Sequence, residues 1–310
     1  MNYYIDDFFS INTREELTQF LDCDAAKELY CFFADPANHS LSPKMYNSAF
    51  DDMGMNKFYF AAKVPAGMIG EAIEKALEFD IKGFNVSMPH KEKIIDYLAD
   101  VDVNADLCGA VNTVIQRTNH LGQKDYKGFN TDAYGFVKAV EVSGLETENL
   151  SAVILGLGGA GKAAVVGLAS KGADVISIFV RRPDNKGIAE FLKKLSYYYP
   201  ETVFKLYDLS NAGVLKEEIQ SSQLLANCTS VGMGVFLDES LIPDISYLHK
   251  NLTVMDVIYM PSSTKLLDQA KGAGCKYYKN GIDMLIYQGE AAFNLYTGEQ
   301  MPDCPSIRNQ

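Results

Sequence analysis

Apolar runs alternate with amphipathic segments along most of the chain. From about residue 30 the short apolar runs predict strands, and the longer segments that follow them, with apolar residues at helical spacing, predict helices. The strands are "LYCFFA", "KFYFAAKV" and "IKGFNVSM"; the helices are "SPKMYNSAFDDMG", "GMIGEAIEKALEFD" and "KEKIIDYLAD". Strands that alternate with helices of this length indicate a largely parallel α/β sheet.

A second set of alternating segments begins near Asn149 with the apolar strand "SAVILG". Between the two sets, "GAVNTVIQ" and "KDYKGFNTD" predict a hairpin, and no Pro/Gly/Ser linker separates the halves. Before the first set, "NTREELTQFLD" predicts a helix capped by Asn12 or Thr13. The pattern therefore predicts two α/β units, and we expect their boundary inside a helix near "AYGFVKAVEVSG".

Gly156, Gly158 and Gly161 form a GxGxxG motif between the strand "SAVILG" and a helix. In this context the first glycine allows a tight turn, the second lets the backbone approach a pyrophosphate and the third permits close packing of helix on strand. The free N–H groups of the helix then face the phosphates. The motif predicts a dinucleotide site. The alternative is a purely structural glycine turn.

The residues after the next strand, "DVISIFV", bear on the choice of cofactor. An NAD site carries an acid there for the ribose 2′-hydroxyl, whereas this chain has Arg181 and Arg182, with Lys186 close behind. Guanidinium groups suit a 2′-phosphate, so NADP is favoured. NAD is not excluded, because Asp184 lies in the same segment and could accept the 2′-hydroxyl. The alternative interpretation is that the arginines are solvated surface residues.

Composition narrows the class of protein. The formal net charge of −12 argues against nucleic acid as a partner. No apolar run reaches the roughly 18 residues of a membrane span, and the N-terminus carries acids where a signal peptide carries basic residues. We therefore expect a cytoplasmic protein without a membrane partner. The 6 cysteines and 4 histidines show no metal-ligand spacing, so we expect no metal.

The stretch "GFNVSMPHKEK" places Lys91 just past a predicted strand, close to Ser87. A cation at a strand end can stabilise the negative charge that develops on a carbonyl oxygen during reduction. The alternative is an ordinary solvated first turn of a helix.

Taken together, eight ordered motifs resemble the shikimate dehydrogenase family, including its quinate/shikimate branch. They extend from about Tyr30 to Gly298 and are "HSLSPKMYNSAF", "GFNVSMPHKE", "GAVNTV", "GFNTDAYGF", "GLGGAGKAA", "NCTSVGM", "DVIYMPSSTKLL" and "GIDMLIYQGEAAFNLYTG". The resemblance implies reversible reduction of 3-dehydroshikimate to shikimate by a nicotinamide cofactor, in a monomer or a homodimer.

The resemblance also implies a fold. An N-terminal α/β substrate-binding domain, residues 31–132 and 262–310, would be joined to a doubly wound Rossmann NAD(P)-binding domain, residues 133–261, with a cleft between them. Residues 1–30 would be an N-terminal extension, which is unusual for the family.

Position by position, the resemblance assigns roles. Lys91 and Asp132 match the catalytic pair, with Lys91 as acid/base and Asp132 as the residue that orients it. The residues matching substrate ligands are Ser40, Ser42, Ser87, Asn112, Tyr259 and Gln288. The residues matching the cofactor site are Gly156, Leu157, Gly158, Gly159, Ala160, Arg181, Arg182, Asp184, Lys186, Val257 and Gly281.

Several of these positions have a structural alternative. Ser40 and Ser42 would cap a helix, Asp132 would be the N-cap of "AYGFVKAV", Asn112 would bond the backbone in a turn, and Gln288 would face outward. The chain also departs from the family pattern, with Ser87 in place of the usual Thr and "VRRPD" in place of the usual "NRT". The competing functions are a quinate/shikimate dehydrogenase that uses NAD or NADP, a related cyclic-polyol dehydrogenase, and a non-catalytic metabolite sensor.

Overall fold

The structure is a computed structural model that describes residues 3–308. Contacts divide it into two compact units. Among the described residues, the first comprises 3–131 and 289–308, and the second comprises Asp132–Gln288. Each unit contains one sheet, and the predicted α/β class is confirmed.

The first unit is built on a seven-stranded sheet with the order β1-β3-β2-β4-β6-β7-β5. Its strands are β1 (Tyr4–Ile5), β2 (Glu28–Ala34), β3 (Lys57–Lys63), β4 (Ile81–Val86), β5 (Asp100–Val101), β6 (Thr113–Thr118) and β7 (Lys124–Phe129). Its first four helices are α1 (Arg14–Phe20), α2 (Ser42–Asp52), α3 (Ile69–Glu78) and α4 (Val103–Cys108). Strands β1 to β4 are parallel, and β6 and β7 form the predicted antiparallel hairpin.

The N-terminal residues belong to the first unit rather than standing apart from it. Strand β1 pairs with β3 at the sheet edge, and the Phe8 side chain is fully buried against the rings of Phe33 and Phe79. The predicted cap of α1 is confirmed, because the Thr13 side chain accepts the N–H of Glu16 at 3.1 Å. The segment thus supplies an additional strand and part of the core.

The helix predicted over residues 91–100 is wrong. In its place the structure has a short 3₁₀ helix, Lys93–Tyr97, followed by β5. Asp100 and Val101 pair with Lys127 and Gly128 of β7. Pairing with the hairpin therefore overrides the local helical pattern.

The second unit holds a fully parallel six-stranded sheet with the order β10-β9-β8-β11-β12-β13. Its strands are β8 (Ser151–Leu155), β9 (Val175–Val180), β10 (Val203–Asp208), β11 (Leu224–Asn227), β12 (Thr253–Asp256) and β13 (Tyr277–Lys279). Its helices are α5 (Asp132–Val142), α6 (Gly159–Ser170), α7 (Lys186–Tyr198), α8 (Ala212–Gln220), α9 (Lys265–Ala273) and α10 (Ile282–Thr297). Numbered from its first strand, this is the 3-2-1-4-5-6 order of the dinucleotide-binding fold.

The chain passes from the second unit back to the first within α10, between Gln288 and Gly289, and then forms α11 (Pro305–Arg308). The sequence-based boundary lay earlier, at residue 262. The difference arises because β13 pairs with β12, which keeps residues 262–288 with the second sheet. No helix in residues 3–308 combines the length and the apolar character that a membrane span requires.

Candidate active site

The candidate substrate residues of the first unit lie at one end of its strands, which we call the sheet edge of the site. Ser87 directly follows β4, where its N–H donates to the Phe33 carbonyl at 3.0 Å. The segment after β2 lies beside the segment after β4, because the N–H of Asp35 donates to the Met88 carbonyl at 3.1 Å. This edge is formed by the carboxyl ends of β2 and β4, which is where ligands bind in open α/β sheets.

Lys91 lies in the turn that follows Ser87, and its side chain is half-buried. Its carbonyl accepts the N–H of Val111 at 2.8 Å. The turn that carries Lys91 is therefore fixed beside Val111, whose neighbour in the chain is Asn112.

Asn112 is buried, with 2% of its surface exposed, and precedes β6. Its Nδ2 donates to Thr131 Oγ1 at 2.9 Å, and its Oδ1 accepts the Thr131 N–H at 2.8 Å. The side chain thus bonds to the backbone as the structural alternative supposed, but the partner is the segment after β7. The next residue along the chain from Thr131 is Asp132.

Asp132 is the first residue of α5 and is buried. A carboxylate in the first helical turn faces the positive end of the helix dipole, which stabilises its charge.

Ser40 and Ser42 lie at the start of α2. Ser40 Oγ accepts the N–H of Ser42 at 3.2 Å, so part of the predicted capping role is present. Ser42 is buried, and Pro43 follows it in the first turn. Two hydroxyl groups and the N-terminus of an eleven-residue helix form a suitable environment for a carboxylate.

In the second unit the glycine motif has the expected strand–turn–helix context. Gly156 has φ +90°, a conformation that disfavours a side chain, and a Cβ on Gly161 would overlap the carbonyl oxygen of Gly156. Gly158 precedes α6, and a Cβ placed on it would meet none of the described residues beyond its own neighbours in the chain and the helix. The backbone at the start of α6 is therefore open to a close-approaching ligand.

A cavity of about 440 Å³ lies next to this turn. The described residues that line it are Leu157, Val180, Arg181, Arg182, Asn185 and Ile188. Two are arginines and none is acidic, so the lining fits a phosphate better than a 2′-hydroxyl that needs a carboxylate partner. Asp184 and Lys186, which the sequence grouped with the arginines, are not among the lining residues, whereas Asn185 was missed. Its only sequence signal is its place as the N-cap of α7.

Val257 and Gly281 are brought together. A Cβ on Gly281 would overlap the carbonyl of Val257, and the Gly281 N–H donates to the Ile258 carbonyl at 2.9 Å.

Tyr259, two residues after Val257, is half-buried, and this burial raises the pKa of its hydroxyl. Gln288 is half-buried in α10, and its Nε2 donates to the Leu285 carbonyl at 2.8 Å.

A buried carboxylate holds the Val257–Tyr259 segment, and sequence reasoning missed it. Asp256 accepts from the Ile258 N–H and from Asn227 Nδ2, both at 3.1 Å, and from Thr264 Oγ1 at 2.7 Å. Burial raises its pKa, and these three bonds oppose that rise. The signal in the sequence was a polar residue at the end of an apolar strand, in "LTVMDVIY".

The two units thus offer complementary chemistry. The first presents hydroxyls, an amide and an ammonium group at one sheet edge, which suits a hydroxylated anion. The second presents a glycine turn, a helix N-terminus and an arginine-lined cavity, which suits a phosphorylated dinucleotide.

Comparison with known proteins identifies similar sequences along most of the chain. The sequence model of the shikimate dehydrogenase substrate binding domain matches residues 32–114, and that of the shikimate 5′-dehydrogenase C-terminal domain matches residues 281–303. The chain is 39% identical to a shikimate dehydrogenase (NADP⁺) from Alkaliphilus metalliredigens, over 86% of this chain and 90% of that protein.

Two solved structures extend the comparison. Shikimate 5-dehydrogenase from Listeria monocytogenes, in complex with shikimate and NAD, has 34% sequence identity and a TM-score of 0.84, covering 93% of this chain and 97% of that one. The Thermus thermophilus enzyme, in complex with NADP(H) and shikimate, has 29% identity and a TM-score of 0.76, covering 91% and 97%. This chain belongs to the shikimate dehydrogenase family.

Proposed function

We propose that this protein reduces 3-dehydroshikimate to shikimate, and catalyses the reverse reaction, with NADP as the cofactor. Family membership at 39% identity over 86% of the chain is the observation that carries the proposal. Most of the proposed substrate ligands belong to the first unit, and the proposed cofactor ligands belong to the second. The small-molecule substrate is the partner that this function requires, while a cytoplasmic location and a monomeric or dimeric state stay predictions.

On the substrate side, each proposed ligand matches a part of shikimate. Ser40 and Ser42 would bind its carboxylate, with Tyr259 as a third donor. Ser87, Asn112 and Gln288 would bind the ring hydroxyls. Support comes from the convergence of Ser87, Lys91 and Asn112 on one sheet edge, where an overall charge of −12 does not prevent local binding of an anion.

In the reduction, the ketone carbon gains a hydride and its oxygen gains a proton. NADPH, when bound, supplies the hydride. We assign the proton to Lys91, whose ammonium Nζ would donate to the ketone oxygen as negative charge develops there. Asp132 would orient that ammonium group and accept a hydrogen bond from the adjacent substrate hydroxyl. In the oxidation of shikimate the neutral Lys91 amine would take the proton back.

On the cofactor side, the start of α6 would hold the pyrophosphate through its backbone N–H groups. Arg181 and Arg182 would bind the 2′-phosphate of NADP, and Val257 and Gly281 would lie against the nicotinamide. The cavity lined by the two arginines supports a group larger and more negative than a 2′-hydroxyl. The relative from A. metalliredigens is likewise named for NADP⁺.

The proposal is tested by product identification. Purified protein incubated with shikimate and NADP⁺ should produce 3-dehydroshikimate and NADPH in equal amounts, with separation by chromatography and detection by mass. Formation of NADPH with a different oxidation product of shikimate would assign the hydride transfer to another ring hydroxyl, and absence of NADPH would contradict the proposal.

A further inference from the structure

We propose that Thr113 is a positioning residue that fixes the amide of Asn112 for substrate binding. The inference rests on the proposed function, because it concerns how Asn112 would meet a ring hydroxyl of shikimate. Thr113 is the first residue of β6, and its side chain is fully buried. It does not itself need to touch the substrate.

Thr113 Oγ1 lies between two buried amides. Asn85 Nδ2 donates to it at 3.0 Å, and it donates to Asn112 Oδ1 at 3.1 Å. The Oγ1 of Thr131 is also within 3.2 Å. One hydroxyl therefore connects the strand that ends at Val86 with the residue that precedes β6.

The orientation of the Asn85 side-chain amide follows from one partner that can only accept a hydrogen bond. Its Nδ2 faces the backbone carbonyl of Asn112 at 3.2 Å, and a carbonyl only accepts. Its Oδ1 accepts the hydroxyl of Tyr59 at 2.7 Å. The atom that faces Thr113 is therefore the donor nitrogen, and Thr113 must accept from it.

The orientation of the second amide, Asn112, is fixed in the same way. The Thr131 backbone N–H can only donate, so the Asn112 atom that it contacts at 2.8 Å is the oxygen. Because Thr113 already accepts from Asn85, its single proton is available for that oxygen. The Thr131 N–H thus specifies which end of Asn112 is the acceptor, and the Thr113 hydroxyl adds a second donor to that end.

Because these hydrogen-bonded side chains are buried, the loss of one partner has a cost. Asn85, Asn112, Thr113 and Thr131 are all nearly inaccessible, so water does not compensate for a lost partner. Valine has the shape of threonine but neither accepts nor donates. It would leave Asn85 Nδ2 without one partner and remove one of the donors to Asn112 Oδ1, so the amide would be held less firmly in the orientation that a substrate hydroxyl requires.

The rival interpretation is that the hydroxyl only holds β4 and β6 together. Thr113→Val and Thr113→Ser distinguish the two, since serine keeps the hydroxyl and valine keeps the shape. For each variant, isothermal titration calorimetry in the presence of NADPH, which cannot accept a hydride from shikimate, would give the affinity for shikimate. Titration with 2′,5′-ADP would report the cofactor site, and thermal unfolding would report stability.

We expect Thr113→Val to weaken shikimate binding about two- to tenfold, the equivalent of one net hydrogen bond. Thr113→Ser should bind shikimate like the wild type, and both variants should bind 2′,5′-ADP equally. Equal shikimate affinity in the valine and serine variants would overturn the inference, whatever their stability. If Thr113→Val does not fold, Thr113→Cys replaces it, since a thiol is a weak donor of similar size. Wild-type protein that does not bind shikimate would instead refute the proposed function.

Discussion

Asn112 and Thr131 are joined by hydrogen bonds that run in both directions. Asn112 Nδ2 donates to Thr131 Oγ1 at 2.9 Å, and the Thr131 N–H donates to Asn112 Oδ1 at 2.8 Å. The pair connects the residue before β6 with the segment after β7. Asp132, the proposed catalytic carboxylate, directly follows Thr131 in the chain.

Asn112→Ala should therefore impair both binding and stability. We expect the KM for shikimate to rise at least about tenfold, and the free energy of unfolding to fall by about 1–3 kcal/mol because the buried Thr131 N–H loses its acceptor. Asn119→Ala is the control. Asn119 also accepts two backbone N–H groups, from Leu121 and Gln123 in the β6–β7 turn, so its loss should reduce stability without changing the KM for shikimate.

Lys91→Met should reduce kcat by about 10²–10⁴, the usual contribution of a general acid–base group. Lys93→Met is the matched control, because Lys93 lies two residues away, is exposed and pairs with Asp96 at 2.7 Å. Steady-state kinetics of both variants would test the assignment. A Lys93 variant as slow as the Lys91 variant would show that the whole turn, rather than one ammonium group, is required.

Arg181→Ala combined with Arg182→Ala should weaken NADP binding roughly ten- to hundredfold, because charge-assisted contacts to a phosphate would be lost. NAD, which lacks the 2′-phosphate, should bind the double variant about as well as it binds the wild type. Lys193→Ala, an exposed position in α7 that does not line the cavity, should leave both affinities unchanged. Equal losses for NADP and NAD would remove the assignment of the arginines to the 2′-phosphate.

The sequence predicted those parts of the fold that depend on local pattern. The hairpin, the α2 helix with its Ser-Pro start and the glycine turn are read from residues close together in the chain. Strands β1, β5 and β13 were not predicted, because they have only two or three residues and exist through pairing with a neighbour. Such pairing depends on contacts distant in the sequence.

The candidate site residues likewise fall into those that local motifs predict and those that only strand pairing brings together. The motifs identified Lys91 and Asn112 as candidates, but not the residues that hold them. Asn85 and Thr113 become neighbours only through the antiparallel register of β4 and β6, in which Asn85 lies opposite Thr113. The local sequence of either segment does not predict that contact. Asp256 was missed for a similar reason, since its partners Asn227 and Thr264 lie 29 and 8 residues away in the chain.

Phe8→Ala should destabilise the first unit by about 3–5 kcal/mol, because it would leave a large cavity in a packed core. Phe8 is 0% exposed. Phe20→Ala is the control from the same N-terminal segment, since Phe20 is 48% exposed and its loss should cost little. Denaturant unfolding of the two variants would compare them. Equal stability would mean that the N-terminal residues contribute nothing to the core.

Asp80 should make stability depend on pH at acid values. Burial alone would raise its pKa, but hydrogen bonds from Lys124 and Lys82, each at 2.7 Å, outweigh it and lower the pKa to about 2. An unfolded aspartate titrates near 3.9. The stabilisation is therefore fully present above about pH 4 and is lost as the pH falls towards 2.

Asp80→Asn provides the comparison, since asparagine also tolerates the positive φ of 53° at this position. Urea unfolding of the wild type and the variant should differ at pH 6 and converge as the pH approaches 2. A difference that stays constant over this range would show that the carboxylate of Asp80 is not responsible.

The central claim is tested most directly by the specificity constants of the wild-type protein for shikimate and quinate, each with NADP⁺ and with NAD⁺. The account predicts that shikimate with NADP⁺ has the highest kcat/KM of the four combinations. A higher value for quinate or for NAD⁺ would reassign the substrate or the cofactor within the family. If neither polyol supported reduction of either nicotinamide between pH 7 and 10, the proposed enzyme activity would be contradicted.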